Sequence, residues 1–272
     1  MARARDAAAD GLGENGPLTI TTLLEEAFFH LMQEELETAI GLLNASRRVV
    51  VFSGAGLSRA SGIPTYRDAD GLWMQQNTIQ FSHAEDLARD PAGFTKFWGQ
   101  RLAVIEEAVP NAGHRALAAL QRLRPATRLI TQNVDGLLTQ AGCVDVLELH
   151  GNLRRWRCDR CGNRHGPWPF HRCLRCGGHA RPDVVMFGEM LNPGVLMDAQ
   201  EASADCDLFV LVGSTAVVYP AADLSVLAMG RGASLITLNL EPVGHLDDRA
   251  RVVLRGASEV LLPLMVDGLK GG

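Results

Sequence analysis

Apolar residues follow two rhythms along the chain. Over residues 18–45, LTITTLLEEAFFHLMQEELETAIGLLNA, they recur at helical spacing: Leu23, Leu24, Ala27, Phe28 and Leu31, then Ile40 and Leu43. One or two amphipathic helices are expected there. Directly afterwards VVVFS is an unbroken apolar run that stops at Gly54. A strand covered on both faces reads this way. Similar runs follow as TRLITQN (127–133), VDVLELHG (144–151), DLFVLVGST (207–215), ASLITLNLE (233–241) and RVVLRG (251–256). Helical stretches such as GHRALAALQRL (113–123) and PAADLSVLAMGRG (220–232) separate most of them. This alternation predicts a parallel α/β sheet, whose ligands bind beyond the carboxyl ends of the strands. Polar residues gather at those ends: Ser53, Gln132, Asn133, Asp135, His150, Ser214, Asn239 and Glu241.

Two segments break the alternation. Residues 69–110 are mixed and partly helical, and residues 152–187 carry cysteines among many Arg, Gly and Pro. Both read as insertions that form a smaller second unit. In the second, CDRC and CLRC supply Cys158, Cys161, Cys173 and Cys176, with Gly162 and Gly177 directly after the pairs. Two such knuckles place four thiolates around one structural zinc and leave no open coordination position. A redox CxxC is the rival reading, and the doubled spacing speaks against it. His165, His171 and His179 nearby read as exposed loop residues.

Bulk composition narrows the setting. The chain has 272 residues, a formal net charge of −5 and 47% hydrophobic residues. That is enough for one large domain with a smaller one attached. The acidic balance is unlike a nucleic-acid binder. No apolar run reaches the roughly 20 residues that cross a bilayer. The first 17 residues have no secretory apolar core and read as a disordered tail. Together with the thiol pattern this predicts a cytoplasmic protein with no membrane or direct nucleic-acid partner.

The loop after VVVFS is glycine-rich, but neither common nucleotide fingerprint fits it. A P-loop needs a lysine that is missing between Gly54 and Gly62. A dinucleotide fingerprint begins with Gly54-Ala55-Gly56, but its third glycine is displaced to Gly62 and Met74 stands where an acid belongs. The loop therefore suits a pyrophosphate, though not in the dehydrogenase manner. Its continuation, SGIPTYRDADGLW, is followed in order by TQNVDGLLTQAG, LHG, the cysteine quartet, RPDVVMFGE, GSTAVVYPAADL and LNLEP. This series resembles the sirtuin family of NAD-dependent protein deacylases, bacterial or mitochondrial in type, over about residues 40–262.

The resemblance implies a Rossmann-type domain over 18–68, 111–151 and 188–272, a helical module over 69–110 and a zinc-ribbon module over 152–187. NAD and an acyl-lysine peptide would meet between them. Gly54, Ala55 and Gly56 would line the pyrophosphate, with Ser58 adding a hydroxyl. Arg67 would contact the cofactor, although an ion pair with Asp68 or Asp70 is its plain alternative. Gln132, Asn133 and Asp135 would hold the nicotinamide ribose and, with Ile63, the carboxamide; a turn after a strand is the alternative for Asn133 and Asp135. Gly213, Ser214, Asn239 and Glu241 would contact the adenosine half. Val184, Val185, Phe187, Gly188 and Glu189 would form the peptide-binding strand and tunnel wall. His150, closing its strand, would be the general base: the acyl oxygen displaces nicotinamide at the ribose C1′, and His150 deprotonates a ribose hydroxyl.

Three departures from the family pattern stand out. Tyr66 replaces the usual Phe before the loop arginine. Gly213-Ser214-Thr215 replaces Gly-Thr-Ser. Trp98-x-x-Arg101 stands where the branch acting on acidic acyl groups has Tyr-x-x-Arg. Trp98 and Arg101 either form a substrate subsite or belong to an ordinary amphipathic helix with Trp98 inward, so acetyl, succinyl or malonyl, and longer acyl groups all stay open. His114, at a helix start, is given a structural role. The implied activity is NAD-dependent deacylation of N6-acyl-lysine in proteins, giving nicotinamide, free lysine and 2′-O-acyl-ADP-ribose. An ADP-ribosyltransferase or NAD glycohydrolase using the same pocket is the alternative.

Overall fold

The structure is a computed structural model describing residues 20–65, 81–165 and 172–269. The expected tail at 1–17, Tyr66, Arg67 and His171 lie outside the described residues. One helix, α1 (Ile20–Ala45), covers the amphipathic stretch. It leads into β1 (Val49–Ser53), after which a 3₁₀ helix, Ala55–Ser61, carries the glycine loop. Then come α2 (Asp86–Arg89), α3 (Pro91–Glu107), α4 (Ala112–Leu123), β2 (Arg128–Thr131) and α5 (Leu137–Gln140). β3 (Leu147–Glu148), β4 (Gly151–Cys158), β5 (Arg164–His165) and β6 (Ala180–Val184) follow. The chain closes with α6 (Pro193–Asp205), β7 (Leu208–Val212), α7 (Asp223–Gly230), β8 (Ser234–Asn239), β9 (Val252–Arg255) and α8 (Ser258–Asp267).

Six strands form the main sheet in the order β3-β2-β1-β7-β8-β9, and every pairing in it is parallel. The chain runs outward from β1 to β3, returns, and runs outward again from β7 to β9. The order reverses between β1 and β7, and this switch point is where such sheets open a crevice for ligands.

Alternation within each strand divides the core into two layers. Val49 and Val51 face α1, α4 and α8 with Ala39, Leu43, Leu117, Leu261 and Met265. Val50, Phe52 and Phe209 face α6 and α7 with Ala199, Leu224 and Ala228. A sheet covered on both sides explains why its strands read as unbroken apolar runs rather than as alternation.

The second sheet is antiparallel and small, ordered β5-β4-β6. α3 packs on it through Phe94, Phe97, Trp98, Leu102 and Ile105, against Leu153, Trp156, Val184 and Met186. The chain is thus an α/β protein with a Rossmann-type sheet and a smaller unit built from a cysteine ribbon and a helical module. The expected strand over 144–151 is corrected. Only Leu147 and Glu148 join the ladder, and His150 sits in the turn before β4. Asp145 has a positive φ of 49°, a conformation that strand pairing does not tolerate.

Candidate active site

Two loops touch at the switch point. The Gly54 N–H donates to Val212 O at 3.0 Å, and the Gly56 N–H donates to Gly213 O at 2.8 Å. A Cβ on Gly213, whose φ is +56°, would lie 2.4 Å from Leu57 N, and one on Gly56 would lie 2.7 Å from Gly213 Cα. Loop-to-loop contact is therefore what requires glycine here. The N–H groups of Gly54 and Gly56 are both taken up by carbonyls at the end of β7. Ala55, between them, is half-buried.

Ser58 lies buried behind this loop, at the centre of a polar network. Its hydroxyl donates to Asp135 Oδ2 at 2.7 Å and accepts from Asn133 Nδ2 at 3.1 Å. His114 Nε2 approaches the same oxygen at 3.4 Å, while its Nδ1 accepts the Asn111 N–H at 3.3 Å. Burial, then the charge of Arg115, pushes the His114 imidazole down to about 4. It is therefore neutral, with its proton on Nε2 and directed at Ser58. The Ser58 hydroxyl is enclosed by these protein partners.

Asp135 is buried, which raises its pKa, against the Leu137 N–H, the Ser58 hydroxyl and the charge of Arg154, which lower it. Asn133 also donates to Gly54 O at 3.0 Å. These bonds tie the loop after β2 to the loop after β1. Ile63 and Val134 pack against the apolar cluster beneath α3, beside Phe81 and Ala84.

Gln132 links three strand ends. Its N–H donates to Ser53 O at 3.0 Å, its Oε1 accepts from Ser214 Oγ at 3.3 Å, and its main-chain carbonyl lies 3.0 Å from His150 Nδ1. A carbonyl only accepts, so Nδ1 carries the proton and His150 Nε2 is left as the basic nitrogen. Burial lowers the His150 pKa, opposed by the bond to Gln132. The imidazole is therefore neutral at pH 7.

Two buried amide nitrogens at strand ends, Gln132 Nε2 and Asn239 Nδ2, have no hydrogen-bond partner. Buried donors of this kind are rarely left unpaired, and both stand beyond the carboxyl ends of the sheet. Hydroxyls and phosphates of a dinucleotide are acceptors of the kind they lack. Ser214 is buried with them, and Glu241 is exposed just after β8. The residues present fit NAD.

On the facing side, Val184 and Met186 are buried and Phe187 and Gly188 are exposed. The N–H groups of Val185, Met186 and Phe187 donate to His150 O, Glu189 Oε2 and Ser82 O. Glu189 follows directly and is half-buried. Its carboxylate takes a two-pronged bond from the buried Arg181, at 2.6 and 2.8 Å, and so braces the segment from behind. Trp98 takes the inward of its two expected placements. It is 6% exposed and its indole N–H donates to Phe81 O at 3.0 Å. Arg101 lies over the Phe97 ring at 3.4 Å.

The four cysteine sulfurs lie within 4.8 Å of one another, with Cys158 to Cys176 at 3.5 Å and Cys161 to Cys173 at 3.6 Å. A tetrahedral zinc with bonds of about 2.3 Å needs sulfurs about 3.8 Å apart. Gly162 and Gly177, both with positive φ, return N–H bonds to Cys158 O and Cys173 O. Burial would raise the Cys158 thiol, yet the Cys161 N–H, the Cys176 thiol and the Arg160 N–H bring it down to about 7. The quartet fits one structural zinc.

His114 holds a structural place at the start of α4, as its sequence position suggested. Asn111 and His114 form a capping box at the start of α4. That spacing was visible in the sequence, but the contact with Ser58 depends on tertiary packing.

Comparison with known proteins places this geometry in a family. The Sir2 family matches residues 54–220. An NAD-dependent protein deacylase of Thermus thermophilus is 42% identical over 254 residues, covering 88% of this chain and 98% of that protein. A Sir2 homologue solved with NAD superposes with a TM-score of 0.78 at 37% identity, covering 85% of this chain and 93% of that one. A Sir2 enzyme bound to a myristoylated histone peptide superposes with a TM-score of 0.71 at 32% identity, over 87% and 96% of the two chains. By sequence and by fold, the chain belongs to the Sir2, or sirtuin, family.

Proposed function

We propose that this protein is an NAD-dependent protein-lysine deacylase in which His150 is the general base. The observation that carries the reading is the imidazole itself. It is neutral, its Nδ1–H is fixed on Gln132 O, and its Nε2 is basic. The fixed tautomer suits it to take a proton from a ribose hydroxyl. NAD, when bound, supplies an electrophilic ribose carbon with nicotinamide as its leaving group and accepts the acyl group. Gln132, Ser214, Asn239 and Glu241 would hold its ribose hydroxyls. Asn133 and Asp135, fixed through Ser58, would orient the nicotinamide half, with Ile63 beside it. Binding energy used in this way becomes rate rather than affinity. Tyr66 and Arg67 belong to the same cofactor loop by sequence.

The substrate is an acyl-lysine in a protein or peptide. Its chain would run beside Phe187 and Gly188, with the acyl group entering between Val184, Val185 and the Ile63–Val134 patch. The Trp98 N–H is engaged within the fold, so Trp98 and Arg101 do not present a donor pair to a carboxylate. This favours a neutral acyl group, since a buried carboxylate needs charge-assisted partners.

The test is nicotinamide release from NAD with and without an acetyl-lysine peptide, for wild type and His150→Ala. Wild type is expected to release nicotinamide only with peptide and to yield free lysine. His150→Ala is expected to lose at least about a hundredfold in deacylated product, the lower end of general-base contributions. Release that ignores the peptide would replace this reading with an NAD glycohydrolase.

A further inference from the structure

The loop that carries Asn133 and Asp135 is gripped from the cysteine ribbon. The β4–β6 register slips between Asn152 and Trp156, and the bulge turns Leu153 and Arg154 toward that loop. Leu153 N–H donates to Val134 O at 2.8 Å, and Arg154 Nε donates to Asp135 O at 2.7 Å. Two successive residues of β4 thus hold two successive carbonyls of the loop. The other end of the guanidinium crosses to the helical module, where Nη2 donates to Ile105 O at 2.5 Å in the last turn of α3. There it fills a carbonyl that a helix end leaves unpaired. The Gln140 amide oxygen, in the orientation its neighbours require, accepts from Nη1 at 3.0 Å.

Space around the group is tight. A Cβ on Gly136, whose φ is +72°, would lie 3.3 Å from Arg154 Cδ and 3.0 Å from Asn152 Nδ2. Arg154 itself is half-buried. A planar fork with five N–H donors can join acceptors from three elements at once, which an ammonium cannot do in the same geometry.

We propose that Arg154 is a positioning residue for the deacylation reaction, fixing the Asn133–Asp135 loop from the ribbon and the end of α3 so that the nicotinamide half of NAD meets a preformed site. The inference rests on the placement of Asn133 and Asp135 under Proposed function. It also gives the metal-bearing unit a mechanical path to the cofactor: zinc closes the ribbon, the ribbon sets β4, and β4 sets the loop. Displacing a catalytic loop by an ångström costs on the order of a hundredfold in rate. An ordinary helix cap, by contrast, moves stability and leaves cofactor affinity alone.

The experiment compares full-length, zinc-loaded wild type with R154M and R154K. Three quantities are read: the calorimetric Kd for NAD, kcat for peptide-dependent nicotinamide release, and KM for the acetyl-lysine peptide. R154M is expected to weaken NAD binding by about tenfold and to lower kcat by roughly tenfold to a hundredfold, with the peptide KM within about twofold of wild type. R154K keeps the charge without the fork and is expected to recover little of either loss. Wild-type NAD affinity and kcat in R154M would overturn the proposal, however far its Tm falls. So would a loss confined to the peptide KM. If R154M fails to fold or to hold zinc, R154K decides on the same readouts. If wild type itself does not deacylate, the deacylase reading fails on its own, and the NAD Kd of the variants still decides the role of Arg154.

Discussion

A buried hydroxyl has one proton to give and two lone pairs to fill, and at Ser58 all three are engaged: Asp135 accepts, while Asn133 and His114 donate. The arrangement requires His114 to stay neutral. Its imidazole is held at about 4, against 6.5 for an unperturbed histidine. Between those values the unfolded chain binds a proton at this position that the folded chain does not. Stability from this group is therefore complete above pH 6.5 and is lost as pH falls toward 4, by at most about 1.4 kcal/mol per pH unit. Denaturant titrations of wild type and His114→Gln at pH 7 and pH 5 check this. Wild type is expected to lose about 1–2 kcal/mol more than the variant between the two pH values. Equal losses would mean that His114 carries no buried neutral role. The sequence pointed to Asn133, Asp135 and His150 through their motif and their strand-end positions. It did not place Ser58 between them, because a hydroxyl at residue 58 and an imidazole at residue 114 meet only after α4 docks beside the glycine loop.

Elements carry the next set of constraints. Strand positions were legible because a doubly covered sheet leaves its strands uniformly apolar, and the helices because their stripes repeat. Strand ends were less so: VDVLELHG looks continuous, but the positive φ at Asp145 and the turn at His150 cut it to two paired residues. The glycines also do something the sequence did not show. Gly54, Gly56 and Gly213 are where two loops press together, so Gly213→Ala meets both a left-handed backbone and a neighbouring chain. This variant is expected to lose about 3 kcal/mol, seen as a Tm lower by roughly 6–12 °C. An unchanged Tm would mean that the loops can separate freely. The cysteine knuckles were legible outright, since their spacing is itself the geometry. Chelation is expected to make Cys158, Cys161, Cys173 and Cys176 reactive to a thiol reagent while Cys143 and Cys206, both buried, stay protected. The number of reactive thiols before and after chelation measures this directly. Six exposed thiols on chelation would show that the ribbon and the main sheet unfold together.

At the scale of the molecule, the six-stranded sheet carries the loops of the switch point, and the small antiparallel sheet with α3 packs beside them. No helix among the described residues is long and apolar enough to cross a membrane. Contacts between the two parts include Arg154 Nε to Asp135 O, the Leu153 N–H to Val134 O and the Val185 N–H to His150 O. None of these was visible in the sequence, because each joins residues whose partners are fixed by tertiary packing rather than by motif. The proposed entry of the acyl group beside the apolar patch of Ile63, Val134, Phe81 and Met186 predicts faster turnover of an acetyl-lysine peptide than of the matched succinyl-lysine peptide, by about tenfold in kcat/KM, the equivalent of one hydrogen bond to a charged group. Faster turnover of the succinyl peptide would assign Arg101 to substrate after all.

The central claim is that cleavage of NAD and removal of the acyl group are one coupled event. The most direct test counts products: nicotinamide released against lysine unmasked, on the same acetyl-lysine peptide, at saturating NAD. Coupled deacylation predicts one nicotinamide for each lysine freed and none without peptide. Nicotinamide in excess of lysine, or released without peptide, would contradict it.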